Sequence, residues 1–248
     1  MPDPDANPTP PAPYLTEGPR TALRRFTEAD AAEFTARARE SRTLHRPWLF
    51  PPERPDAYAA YTETLARDPA REGFLVVERG ERGERGERGE RGERGERGER
   101  GERGERGERG ERGERGESGA DGAIAGFINI NNIVLGGFRC GALGYGAFAH
   151  AAGRGLMGEA LGLVMGLAFG PLGLHRLEAN IQPDNAASTA LVRRAGFRLE
   201  GFSPDFLHID GAWRDHERWA ITAPAAEAPR SRRNPLGSTK PLGADEIP

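Results

Sequence analysis

Alternation and helical periodicity take turns along this chain. Residues 20–25 alternate in strand style, and residues 29–39 hold Ala32, Phe34 and Ala36 among charged residues, as a helix does. Thr27 is placed to cap that helix, with Asp30 as a short variant of a capping box. The run His45-Arg46-Pro47-Trp48-Leu49 breaks regularity at its proline. Residues 56–68 carry Tyr58, Tyr61 and Leu65 on one helical face. Residues 74–77 (FLVV) are a short apolar strand, and strand character resumes at residues 123–131 (AIAGFININ).

The C-terminal half is as regular. Residues 143–149 predict a strand that runs through a glycine-bearing turn, residues 150–155, into a helix over 156–169. Met157, Leu161, Val164 and Ala168 recur at helical spacing and predict its buried stripe. Gly170-Pro171 ends it. Residues 176–182 predict a strand and residues 185–195 a helix stopped by Gly196 in the C′ role. Residues 197–207 and 213–222 predict two strands around an Asp210-Gly211 turn. This order predicts an α/β fold class, an α+β mixed sheet flanked by helices.

Between the two halves sit thirteen unbroken Glu-Arg-Gly triplets, residues 78–116. Glycine every third residue is the collagen register, but no proline presets the polyproline geometry. Persistent α-helix would lose about 1 kcal/mol at each glycine relative to alanine. The expectation is a solvated, flexible insert, residues 78–117, at a hairpin tip, where loop-closure cost grows only logarithmically with length. Residues 1–13 and 224–248, rich in proline and polar residues, are expected to be disordered tails. Residues 14–223 remain as one single-core domain.

Net charge is −3, and the repeat is neutral within itself, so the chain lacks the basic field that draws proteins to nucleic acid. Cys140 is the one cysteine, so no intrachain disulfide and no Cys/His metal spacing is expected, which fits a reducing, cytoplasmic setting. The start of the chain does not read as a signal peptide. No run of about eighteen apolar residues predicts a membrane span.

Two segments carry candidate chemistry. In Gly144-Tyr145-Gly146-Ala147 through Gly153-Arg154-Gly155-Leu156-Met157-Gly158, glycines lead into a helix whose first amides and positive dipole end suit a pyrophosphate. Taken alone, this pattern is more often just a tight turn. In Pro183-Asp184-Asn185-Ala186-Ala187-Ser188, Asn185 reads as a helix cap with Ser188 in the first turn.

Their ordered combination resembles the GNAT acetyltransferase family, in its RimJ/RimL branch of ribosomal-protein-alanine N-acetyltransferases. The resemblance runs through residues 127–134, Leu143-Gly144-Tyr145, Gly155 to Ala160, His175-Arg176, Asn185 to Phe197, Glu200-Gly201 and the stretch from Ile209 to His216 (IDGAWRDH). It implies acetyl-CoA as co-substrate, no metal, and the N-terminal α-amine of a ribosomal protein as acceptor. It further implies a monomer or weak homodimer.

By the same resemblance, amides from Arg154 to Gly158 hold the diphosphate, with Leu156 and Met157 among them. Asn185 hydrogen-bonds the pantetheine arm. Backbone around Tyr145 and Ala147 meets the developing oxyanion, and Ser188 gives the thiolate its proton. Asp205 is the acid at the family's general-base position, and it reads equally as a solvated loop acid; Glu178 reads first as a surface strand residue. The family's phosphate loop usually begins with Gln or Arg where this chain has Ala152, with Arg154 the candidate to compensate. Gly146 and Ala147 are small where the family is often bulky, which implies a roomier acyl pocket. His216 reads as a packing residue, and Trp48 and Trp213 as core or rim, or as walls of a peptide groove. Two other readings stay open: an acetyltransferase acting on a small amine such as an aminoglycoside or polyamine, and a non-catalytic binding or assembly module.

Overall fold

The computed structural model describes residues 14–80 and 122–224. Most of the repeat and both expected tails lie outside the described residues. One mixed sheet organises the rest. Its strands are β1 (Thr16–Glu17), β2 (Thr21–Arg24), β3 (Glu72–Glu78), β4 (Ile124–Val134), β5 (Cys140–Ala147), β6 (Arg176–Ile181), β7 (Arg198–Ile209) and β8 (Ala212–Thr222). They lie in the order β1-β2-β3-β4-β5-β6-β8-β7. Every neighbouring pair is antiparallel except β5 and β6. That parallel pair needs a crossover, which is the helix α4 (Leu156–Phe169).

Strands β2 to β8 are as patterned, with bounds moved by up to three residues, and the two-residue β1 was not expected. Central strand β3 is buried along its whole middle, so its apolar run has no polar alternation. Its residues serve two cores. Phe74 and Val76 join Ile128, Ile130 and the buried stripe of α4 on one face of the sheet. Leu75 joins Phe34, Tyr58, Phe127 and Phe148 on the other. That second core is aromatic, with Phe34 and Phe148 edge-to-face at 5.2 Å between ring centroids. Helices α1 (Ala31–Glu40) and α3 (Pro55–Arg67) cover it. The four-residue α2 (Arg42–His45) links them, where the sequence shows only a break in regularity.

Local signals held where a named side chain makes the bond. Asp30 accepts from the Thr27 amide and hydroxyl, each at 2.8 Å, although the first turn is 3-10 and the α-helix starts one turn later. Asp210 and Gly211 take φ of 51° and 77°, the left-handed pair that a tight hairpin turn requires. The strands on either side of the insertion are zipped together, with the Glu78 amide donating to the Ala123 carbonyl at 2.9 Å.

Candidate active site

The site begins with a fork in the sheet. Strands β5 and β6 pair only from Cys140↔Arg176 to Leu143↔Ala179. Beyond that, β6 continues along β8, through Ile181↔Glu217, while β5 continues along β4, through Ala147↔Gly126. The edge of β5 from Gly144 onward therefore faces an opening. Which backbone groups face it follows from antiparallel alternation. The Phe148 amide donates to the Ala125 carbonyl at 2.8 Å, so Phe148, Gly146 and Gly144 point their polar groups at β4. Tyr145 and Ala147 point theirs into the fork. The Ala147 carbonyl confirms this, since it accepts from His45 Nε2 at 2.7 Å on that side.

A cavity of about 870 Å³ fills the fork. One end is the start of α4. Gly153 and Gly155 adopt φ of 74° and 80°, and no side chain caps the helix, so its first amides face the cavity with the positive end of the dipole behind them. A Cβ on Gly155 would stand 3.2 Å from Arg20 Nη2, on a backbone conformation that side chains rarely adopt. Ala152, Gly155, Met157 and Gly158 line this end. Leu156 is packed in the core.

The charges around this end are mostly committed elsewhere. Arg154 does not turn to the cavity: its guanidinium donates to both carboxylate oxygens of Glu78, one at 2.7 Å. Its expected compensation for Ala152 is therefore not seen, because an acid at the end of β3 holds it away. Glu159 lines the cavity but accepts from the Arg20 and Thr21 amides and the Thr21 hydroxyl, at 2.8 to 2.9 Å. Burial pushes its carboxyl up, yet those bonds outweigh burial and hold it below the usual carboxylate range.

The other end is built from side chains. Tyr145 on β5 and Asn185 and Ser188 at the start of α5 (Ala186–Arg194) come together here, with Trp48 and Leu49 from the segment after α2. Asn185 Oδ1 accepts from the Ser188 amide at 3.1 Å, the expected cap, which leaves its amide nitrogen to face the cavity. Burial pushes the Tyr145 hydroxyl up to about 12, with neighbouring Ser188 opposing it. That hydroxyl is sealed from solvent and has no partner in hydrogen-bonding geometry.

A second cavity of about 120 Å³ adjoins this end, and Tyr145, Asn185, Ser188, Trp48 and Leu49 line it too. Its far wall is β8, through His216. The fold brings two histidines to the fork: His45, which the sequence shows only within a run broken at its proline, and His216, which reads there as a packing residue. His45 is buried, and His216 is 2% exposed. No one-dimensional signal joins them, since they come from opposite halves of the chain.

Other expectations are not brought here. Asp205 sits exposed on β7 at φ 46°, its amide donating to Asp215 at 2.9 Å, and lines neither cavity. A bulge between Ser203 and Leu207 carries it out of strand register. Glu178 is paired with Arg176 and Arg218. Trp213 is 61% exposed on the hairpin, against the His208 ring. The Gly146 face is not roomier: a Cβ there would stand 3.0 Å from the Phe127 ring, which already fills that space. Among the described residues no group of three or more His, Cys, Asp or Glu could hold a metal. Nor is any helix among them long and apolar enough to cross a membrane.

A mixed sheet that forks at its one parallel pair, with an uncapped helix start in the fork, presents fixed backbone donors to an opening. The chain belongs to the GNAT acetyltransferase family, whose domain model matches residues 20–198. It is 42% identical over 101 residues to the [Ribosomal protein uS5]-alanine N-acetyltransferase of Escherichia coli (strain K12), over 41% of this chain and 52% of that protein. The match thus spans about half the length of this curated relative. Among solved structures, Mycobacterium smegmatis RimJ in complex with CoA-disulfide superposes with a TM-score of 0.62 at 23% identity, covering 83% of this chain and 86% of that one. Spermidine N-acetyltransferase from Vibrio cholerae, in complex with CoA and spermine, superposes at 0.57 with 16% identity, covering 82% and 95%. Likeness at these identities reflects the shared fold.

Proposed function

We propose that this chain transfers the acetyl group of acetyl-CoA to the N-terminal α-amine of a protein, an alanine of a ribosomal protein, by direct attack of the amine within a ternary complex. The observation that carries this reading is the continuous cavity from the uncapped start of α4 to the open edge of β5. Such a cavity fits a carrier with a diphosphate at one end and a thioester at the other. The E. coli relative supplies the acceptor class.

The backbone amides of Gly155, Leu156 and Met157 bind the diphosphate, and the left-handed Gly153 and Gly155 bring the chain close enough to do so. The free Asn185 amide nitrogen donates to the pantetheine arm. The Tyr145 and Ala147 amides, fixed on the open edge, donate to the thioester oxygen as charge grows on it. Ser188 supplies the proton that the departing thiolate takes. Asp205 has no part, because it lies outside the cleft. The acceptor N-terminus enters past Trp48. The setting is a reducing cytoplasm.

The test is incubation of the full chain with acetyl-CoA and a peptide bearing an N-terminal alanine, with spermidine and an aminoglycoside in parallel. Mass spectrometry is expected to find one acetyl on the peptide α-amine. A small amine that outcompetes every peptide in kcat/KM overturns the acceptor assignment. No acetylation of any amine overturns the activity.

A further inference from the structure

Acetylation of an ammonium group needs a proton acceptor, and the fork offers few. Among the residues lining the two cavities, the groups with a pKa low enough to take a proton near neutral pH are His45, Glu159 and His216. Glu159 accepts three hydrogen bonds at the α4 end. His45 gives its Nε2–H to the Ala147 carbonyl, a group that can only accept, and its remaining nitrogen, Nδ1, is sealed and partnerless. It is a strut on the open edge of β5.

His216 has the opposite arrangement. Its Nδ1 lies 2.8 Å from the Arg214 carbonyl, so Nδ1 carries the hydrogen and Nε2 is the bare, basic nitrogen. The Phe206 ring stands against it at 5.9 Å, and the Arg218 guanidinium lies over that ring at 4.3 Å, so the imidazole packs against β7. Its remaining side lines the small cavity that Tyr145 and Ser188 share.

We infer that Nε2 of His216 takes the proton from the acceptor ammonium before acetyl transfer. This rests on the acetyltransferase reading above. The N–H bond breaks with its pair left on nitrogen, and the proton joins Nε2 while Nδ1–H stays on the Arg214 carbonyl. The amine lone pair then forms the N–C bond as the C–S bond breaks with its pair on sulfur. The nitrogen sheds a second proton, which reaches sulfur through the Ser188 hydroxyl, and the imidazolium returns the first to water. One ammonium and one thioester give one amide, one thiol and one released proton.

The charged surroundings suit a neutral ring. Burial pushes the His216 pKa down; the Arg214 carbonyl and Asp215 oppose it, and Arg218 adds to the lowering. The other polar side chains lining that cavity, Tyr145, Asn180, Gln182, Asn185 and Ser188, carry no charge at neutral pH. The ring is therefore uncharged at neutral pH and free to accept.

His216→Asn keeps a donor near the Arg214 carbonyl and removes the base. With acetyl-CoA and an acetylatable peptide, its kcat is expected to fall about 10²–10⁴-fold, the usual weight of a positioned base. Acetyl-CoA affinity by calorimetry stays at the parent value, and the acid limb of the kcat profile is lost. A variant that remains within about twofold of the parent kcat overturns this role while leaving the acetyltransferase reading standing. A parent protein that binds acetyl-CoA but acetylates no amine overturns both. Should the variant fail to bind acetyl-CoA, nitrogen NMR of the unaltered protein decides. Nδ1–H with bare Nε2 is expected, and the other tautomer overturns the assignment.

Discussion

The two ends of the main cavity are made of different material. The α4 end is backbone: left-handed Gly153 and Gly155 and uncapped amides, with Arg154 and Glu159 tied up by Glu78, Arg20 and Thr21. The fork end, with the small cavity that adjoins it, is side chain: Tyr145, Ser188 and His45 from β5, α5 and α2, and His216 of β8 on the wall of the small cavity. A polyanion is held well by fixed amides, which need no ionisation and have no rotamer freedom to lose. Proton transfer needs groups whose affinity for a proton is tuned, and tuning requires burial against particular neighbours.

The sharpest way to break the comparison is at the fork. Ser188→Ala is expected to lower kcat about 10²-fold, as loss of a proton donor does, with acetyl-CoA affinity unchanged in calorimetry. Tyr145→Phe is the contrasting control. Its hydroxyl is buried without a partner, so removing it leaves the melting temperature equal or higher.

At the other end, Gly155→Val is expected to weaken acetyl-CoA binding about tenfold. In the free variant the turn relaxes out of the left-handed conformation, and binding must restore it at a cost of about 1–2 kcal/mol, where 1.4 kcal/mol is tenfold. The peptide KM is expected to stay put, because nothing at the fork moves. A variant that loses peptide affinity instead would show that the two ends are not separable.

A smaller effect lies in pH. Burial is the main cause that holds the pKa values of both His45 and His216 below the ordinary 6.5. The unfolded chain then binds more protons than the folded one, so stability is fully present above that value and is lost as pH falls below it. Melting temperature is expected to decline from pH 7 towards pH 5, less steeply in a His45→Gln, His216→Asn double variant. Equal slopes in the two proteins would sink this account. The smallest effect is expected of Asp205→Asn. An exposed acid outside both cavities changes stability by under about 0.5 kcal/mol and leaves kcat at the parent value.

Local physics was legible in the chain. The α4 stripe, the Asn185 cap, the Asp210-Gly211 turn and the helix stop at Gly196 each depend on residues within a few positions of one another. The turn into α4 was readable for the same reason, because left-handed glycines before a helix form a contiguous pattern. The role first given to Asp205 was a matter of position in a motif, and a β-bulge moved the residue out of the cleft. Arg154 reads in the sequence as the candidate to compensate for Ala152, and the acid that binds it instead, Glu78, lies seventy-six positions away.

What the sequence determined by itself is therefore the order of most elements, the buried stripe of α4 and the glycine turn that leads into it, whereas the single core expected for residues 14–223 is in fact two, one on each face of the sheet. Only the tertiary structure decided where β5 and β6 part, which edge of β5 is left open, and which histidine keeps a bare nitrogen towards the cavity. Several of those outcomes depend on contacts between segments far apart in the chain, such as the bond between His45 and Ala147, 102 positions apart. Periodicity reports which face of an element is buried, and it carries no record of what that face is buried against.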